Sequence, residues 1–157
     1  MFDLCIEGEL KIESTEKWNK QLVMENCLIE YFSGSVTQFE KQVQFINCNF
    51  KNCQFVFTYF LGGLTIENCT FDNYLDFQAG GHNQKGNSII IANNDFKGFV
   101  NFFDCIYEDD VIIENNKFQK GTNLLGKPFN IPVTFSIKPF IDKNVGQLDA
   151  NDEGETR

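Results

Sequence analysis

The residues able to carry chemistry are few and mostly isolated. His82 is the only histidine, in the stretch GGHNQKG. No second imidazole or cysteine stands beside it, so it reads as a solvated loop side chain. The densest acidic group is Asp104, Glu108, Asp109 and Asp110, with Glu114 one strand further on. Grouped carboxylates can hold calcium, as in polysaccharide-cleaving β-helices. Those enzymes also use an Arg or Lys base, and the single Arg here is the last residue, Arg157. The group therefore reads as a solvated turn, and Glu67, Asp72 and Asp76 read the same way. Six cysteines (Cys5, Cys27, Cys48, Cys53, Cys69, Cys105) form no C-x-x-C pair, which leaves zinc unsupported. They are expected to be free thiols, packed as small apolar groups. No nucleophile–base arrangement or Gly-rich phosphate loop is present, so neither an enzyme nor a bound cofactor or metal is expected.

The elements that would position these residues follow from composition. A chain of 157 residues fits one domain with a real core. Eighteen Phe against one Trp point to rings stacked in an interior. No apolar run approaches 18 residues and no basic-then-apolar start is apparent, so neither membrane association nor export is expected and a cytoplasmic location is the default. The formal charge of −9 disfavours nucleic acid as a direct ligand. Residues 1–30 carry −4, residues 142–157 carry −3, and the middle carries only −2.

Internal repeats decide the fold class. Segments starting at 22, 43, 64, 89 and 111 read LVMENCLI, VQFINCNF, LTIENCTF, IIIANNDF and VIIENNKF. Position one is Leu22, Val43, Leu64, Ile89 and Val111. Position five is Asn26, Asn47, Asn68, Asn93 and Asn115. Position six is Cys27, Cys48 and Cys69, then Asn94 and Asn116. Position eight is Ile29, Phe50, Phe71, Phe96 and Phe118. A sixth, weaker copy is read from Val133 (VTFSIKPF). Between Val43 and Gly62 the finer period is five, with Phe45, Phe50, Phe55 and Phe60. That is neither a helical nor a flat-strand period. It predicts an all-β, right-handed parallel β-helix of about six coils with periods of 21–25 residues. The Asn column would take the left-handed corner and form a ladder.

Residues 1–21 are expected to form an N-terminal cap, with two short strands around Gly8, a helical turn starting at Ser14 or Thr15, and Trp18 over the first coil. Residues 22–142 form the β-helix and residues 143–157 an acidic flexible tail. The polar segment 79–88 reads as a protruding loop.

CNFKN (48–52), CQFVF (53–57), CTFDN (69–73) and NDFKG (94–98) resemble the pentapeptide-repeat family, in which a small residue, a polar one and a central Leu or Phe precede two variable positions. Gly34, Asp76, Asn101 and Asn123 depart from that pattern, which allows an irregular or three-sided cross-section. The resemblance implies a rigid rod. Some members of the family are acidic rods that look like DNA and block DNA-handling enzymes such as gyrase. The chain's overall charge agrees with that, and its near-neutral middle does not.

The function expected is a non-catalytic protein-interaction module, with Tyr31, Tyr59, Tyr74, Tyr107 and His82 as partner-binding side chains. A DNA-mimicking inhibitor is the first alternative, and a carbohydrate-binding or carbohydrate-cleaving β-helix the second. A coil end left uncapped would give a homodimer by end-to-end stacking.

Overall fold

In the computed structural model, which describes residues 2–13 and 17–154, the chain winds as an all-β parallel solenoid of about five turns. The sequence columns become rungs. Leu22–Glu25, Val43–Ile46, Leu64–Glu67, Ile89–Ala92, Val111–Glu114 and Phe140–Asp142 stack in that order as one parallel sheet, the first face. Leu22 pairs with Val43, Val43 with Leu64, Leu64 with Ile89 and Ile89 with Val111, the register expected from the repeats.

Past the Asn corner the chain enters the second face. Leu4–Lys11, Cys27–Ser33, Asn49–Gln54, Thr70–Phe71, Asp95–Phe96 and Lys117–Phe118 stack there. The third face continues from it through the later halves of the longer strands, Leu75–Asp76 and Val100–Asn101. The fourth holds Lys17–Trp18 against Gln38–Phe39 and Ile106–Tyr107 against Thr134–Phe135, joined through single bridges at Tyr59 and Gly81. Each coil is thus four-sided.

The five Asn of the corner have φ between 53° and 58°, a backbone that Asn tolerates and most residues resist. A second left-handed corner, between the third and fourth faces, is made by Val36, Phe57, Ala79 and Asp104. Their φ lies between 53° and 58°, and a β-branched residue there is unusual. The interior explains why it holds. Phe50, Phe71, Phe96 and Phe118 stack with centroids 5.0–5.2 Å apart, and Phe55, Phe77 and Phe102 form a parallel stack at 5.1–5.4 Å. Ring stacks at rung spacing remove large apolar areas from water on every turn.

The amide ladder runs through a different column from the one expected. Of the corner residues, Asn47 donates to Asn26 and Asn26 to Asp3. The continuous ladder belongs to the sixth position. Asn94 Nδ2 donates to Asn116 Oδ1 at 3.0 Å and Asn116 Nδ2 to Asn144 Oδ1 at 3.0 Å. Each also donates to a main-chain carbonyl one coil earlier, at Ile66 and Ile91, and Asn144 does the same at Ile113. Cys48 and Cys69 aim their thiols at the same carbonyl column, at Met24 and Phe45. All six cysteines are free thiols, and all but Cys5 are buried.

Three further expectations are corrected. The sixth copy begins at Pro139 and not at Val133, since Ile112 pairs with Phe140 and Ile113 with Ile141. Val133 precedes a fourth-face strand, and the 3₁₀ turn Pro128–Asn130 lengthens that coil. The acidic tail is part of the stack through Gly154. Phe118, Thr122 and Leu125 donate their N–H groups to the carbonyls of Val145, Gln147 and Leu148, each at 2.8 Å. Segment 79–88 does not protrude as a whole. Gly81 pairs between Tyr59 and Ile106, Asn83 is buried, and only Gln84, Lys85 and Gly86 are exposed.

At the start of the chain, Leu4–Lys11 is one strand with a bulge between Ile6 and Glu9, where Gly8 takes φ 78°. Trp18, in a strand, packs half-buried against the core. Ser14 and Thr15 lie outside the described residues. No helix among the described residues is long and apolar enough to cross a membrane.

Candidate functional site

Rung register turns sequence positions on the third face into two outward columns. Glu9, Tyr31 and Asn52 share one, and Tyr74 and Phe99 continue it, because each directly precedes a paired residue, Leu75 or Val100. Beside it run Lys11, Ser33, Gln54, Asp76 and Asn101, followed by Asn123. A groove of about 560 Å³ lies along these columns, lined by Tyr31, Asn52, Gln54, Tyr74, Asp76 and Phe99 together with Asp72 and Lys120.

The polar side chains of the second column hold one another. Asn123 Nδ2 donates to Asn101 Oδ1 at 2.7 Å, and Asn101 Nδ2 to Asp76 Oδ1 at 3.1 Å. Each also accepts from a nearby main-chain N–H, that of Phe102, Phe103 and Gln78 respectively. Asp76, Asn101 and Asn123 are all at least 94% buried, and buried amides and carboxylates satisfied in this way are rigid. Towards the first coils, Gln54 Nε2 donates to the Tyr31 hydroxyl at 2.5 Å, and Lys11 Nζ stands 5.7 Å from the Tyr31 ring centroid. Lys97 Nζ holds Asp72 at 3.0 Å.

The chain's own last described residues lie on the same face. Asn123 Nδ2 donates to the Asp152 carbonyl at 3.0 Å, Asn101 Nδ2 to Glu153 Oε1 at 3.3 Å, and the Tyr74 hydroxyl to the Glu153 carbonyl at 2.7 Å. Gly154 sits so close to Phe99 that a side chain there would strike the ring.

The expected partner-binding residues separate into three places. Tyr31 and Tyr74 line the groove. Tyr59 and His82 pair on the fourth face, ring centroids 4.2 Å apart, with Glu108 Oε1 3.3 Å from His82 Nδ1. Tyr107 is corrected from exposed anchor to core. It is 3% exposed and stacked on Phe135 at 5.7 Å, and burial pushes its phenol well above the usual range. Sequence reasoning missed Gln54, Phe99, Asn101 and Asn123 as site residues. A signal for two of them was present, since Asp76, Asn101 and Asn123 are three of the four departures from the five-residue pattern.

The acidic group does not converge. Asp104 takes a corner, Asp109 receives the Gly86 N–H, and Glu108 faces His82. Among the described residues no three His, Cys, Asp or Glu side chains come together as metal ligands. A second depression, of about 690 Å³, near Gln42, Gly62 and Asn87 has no aromatic lining.

The thiol column is perturbed rather than reactive. The Cys69 thiol beside Cys48 lowers Cys48, the same contact raises Cys69, and burial pushes Cys27 and Cys53 up and Cys105 up to about 12. Buried thiols with no base beside them are poor nucleophiles. The chain matches no family model, no curated protein and no solved structure.

Proposed function

We propose that the protein is a non-catalytic interaction module, a rigid coil of pentapeptide-repeat type that takes a protein partner on its third face. The observation that carries this reading is the convergence of Tyr31 and Tyr74 on one groove whose lining includes Gln54 and the buried, hydrogen-bonded Asp76. Aromatic side chains with a polar tip beside fixed amides suit a protein interface. The pentapeptide-repeat assignment is supported by the inward Phe columns and by small Cys or Thr residues two places before several of them.

Affinity capture with the full chain from its native lysate, at low and high salt, tests the proposal. A protein partner retained at both salts, and lost from a Tyr31→Ala/Tyr74→Ala double variant, is the expected result. Retention indifferent to that variant overturns the site. Salt-released capture of a DNA-handling enzyme transfers the function to the mimic reading.

End-to-end pairing of two copies is favoured by one feature. Strand Phe140–Asp142 ends its sheet and leaves a strand edge at the last coil, where Phe140 is 52% exposed. Sedimentation of wild type against Phe140→Asp separates dimer from monomer.

A further inference from the structure

Resting on the interaction-module reading, we infer that the third face is a track for an extended polypeptide segment of the partner. The segment lies along the coil axis and is recognised through its main chain rather than through charge. The chain itself supplies the template. Its residues 152–154 run past Asn123, Asn101 and Tyr74 on three successive coils, and two of the three hydrogen bonds these side chains give them go to main-chain carbonyls. The Tyr74 hydroxyl reaches that of Glu153, and the Asn123 amide that of Asp152. Such contacts select for backbone and tolerate many sequences.

The donors recur because the coils recur. A phenol and an amide stand side by side again at Tyr31 and Gln54, towards the first coils. Rungs are about 4.8 Å apart and extended chain rises about 3.3 Å per residue. Residues 152–154 fill the part of the track at Asn123, Asn101 and Tyr74, and the open part from Tyr74 to Tyr31 crosses two rung spacings, which matches a segment of roughly four residues.

Two observations set this occupant above the others. Tyr74 and Phe99 are stacked on one another, 6.1 Å apart with 22° between planes. They use ring faces that a sugar platform would have to present outward, while the Tyr74 hydroxyl points at a peptide carbonyl. The charges at the groove are also offset. Lys97 holds Asp72, amides hold Asp76, and Lys120 adds a positive charge. No cluster of side chains of one charge lines the groove for an ionic ligand.

The test is a selection of random dodecapeptides displayed on phage against the full-length chain, followed by fluorescence polarisation of the recovered peptides. Binding is expected to weaken at least ten-fold in Tyr31→Ala and in Gln54→Ala. It should stay unchanged in Phe57→Ala, an exposed side chain at the opposite edge of that face. It should also change less than two-fold between 50 and 500 mM salt. Thermal melts by circular dichroism confirm that each variant is folded. No enriched peptide, peptides indifferent to both groove variants, or strong salt dependence overturns the inference. A folded partner whose capture requires Tyr31 and Tyr74 while no peptide binds leaves the interaction module standing and removes the peptide track.

Discussion

Replacing Asn116 by Ala should unfasten the lower half of the coil. The side chain is 1% exposed and makes four hydrogen bonds. Its Oδ1 accepts from the Asn94 main-chain N–H and from Asn94 Nδ2, and its Nδ2 donates to the Ile91 carbonyl and to Asn144 Oδ1, at 2.8–3.0 Å. Asn94 Nδ2 keeps the Ile66 carbonyl, and Asn144 Oδ1 keeps the Asn116 main-chain N–H. The Asn94 N–H and the Ile91 carbonyl are then each left one partner short inside the stack. At about 1 kcal/mol net per bond, with more for a buried group left unsatisfied, the cost is roughly 3–5 kcal/mol. Asn116→Cys should cost about half as much, because the column already uses thiols. Cys48 Sγ donates to the Met24 carbonyl at 3.4 Å, in the column of the Ile91 carbonyl. Urea titration followed by circular dichroism reads both. With a slope near 2 kcal/mol/M, the Ala variant should move the midpoint down by roughly 2 M and the Cys variant by about 1 M. An Ala variant within 1 kcal/mol of wild type, or a Cys variant worse than Ala, refutes the ladder as a source of stability.

Corner chemistry gives a second prediction. Asn68 at φ 54° should accept Gly within about 0.5 kcal/mol in the same titration, whereas Val should cost about 2 kcal/mol. Thiol reactivity gives a third: a chromogenic disulfide should modify Cys5 at once in the folded protein and the five buried cysteines only after unfolding. For pH the sign is fixed by burial, which raises Cys53, Cys105 and Tyr107 above their unfolded values of 9.0 and 10.0. The folded chain then keeps protons that the unfolded chain releases, so the stability these three groups contribute is complete below about pH 9 and is lost as pH rises from there towards 12. The lowered Cys48 opposes this alone, and urea midpoints at pH 8 and pH 10.5 should fall in that order. Finally, a Cβ on Gly126 would run into the Ala150 carbonyl. Gly126→Ala should therefore release residues 147–154 and speed amide exchange at Thr122 and Leu125 by more than ten-fold, with the first four coils unchanged.

The repeat was legible because its signal is steric and local. Apolar residues at the first and third positions of each copy and Asn at the fifth gave the register of the first face through five coils. What failed did so where local signals compete. Val133 and Phe135 mimic the start of a copy, but Pro128 and the turn after it insert extra chain, and the true rung carries Lys143 at the corner with φ 53°. The remaining clue was Asn144, which holds the place of Asn94 and Asn116. Tyr107 looked like an exposed ring until the fourth face set it over Phe135. Composition marked the last residues as a tail, since acids and Gly read as disorder, yet main-chain bonds to Phe118, Thr122 and Leu125 hold them whatever their side chains. The groove was the least legible part. It depends on which outward columns become neighbours, and that is a property of register rather than of any one coil.

The two amide lines also have direction. In one, Asn94 donates to Asn116 and Asn116 to Asn144, so its side-chain links run towards the last coil, while each amide gives its other N–H to a main-chain carbonyl one coil earlier. In the other, Asn123 donates to Asn101 and Asn101 to Asp76, so its N–H ends face the first. The shorter links from Asn47 to Asn26 and from Asn73 to Asn52 run the second way, towards the first coil. The second line also ends on a carboxylate. Asp76 therefore sits at the positive terminus of an oriented row of amides, and the stack itself favours a negative charge at the floor of the groove.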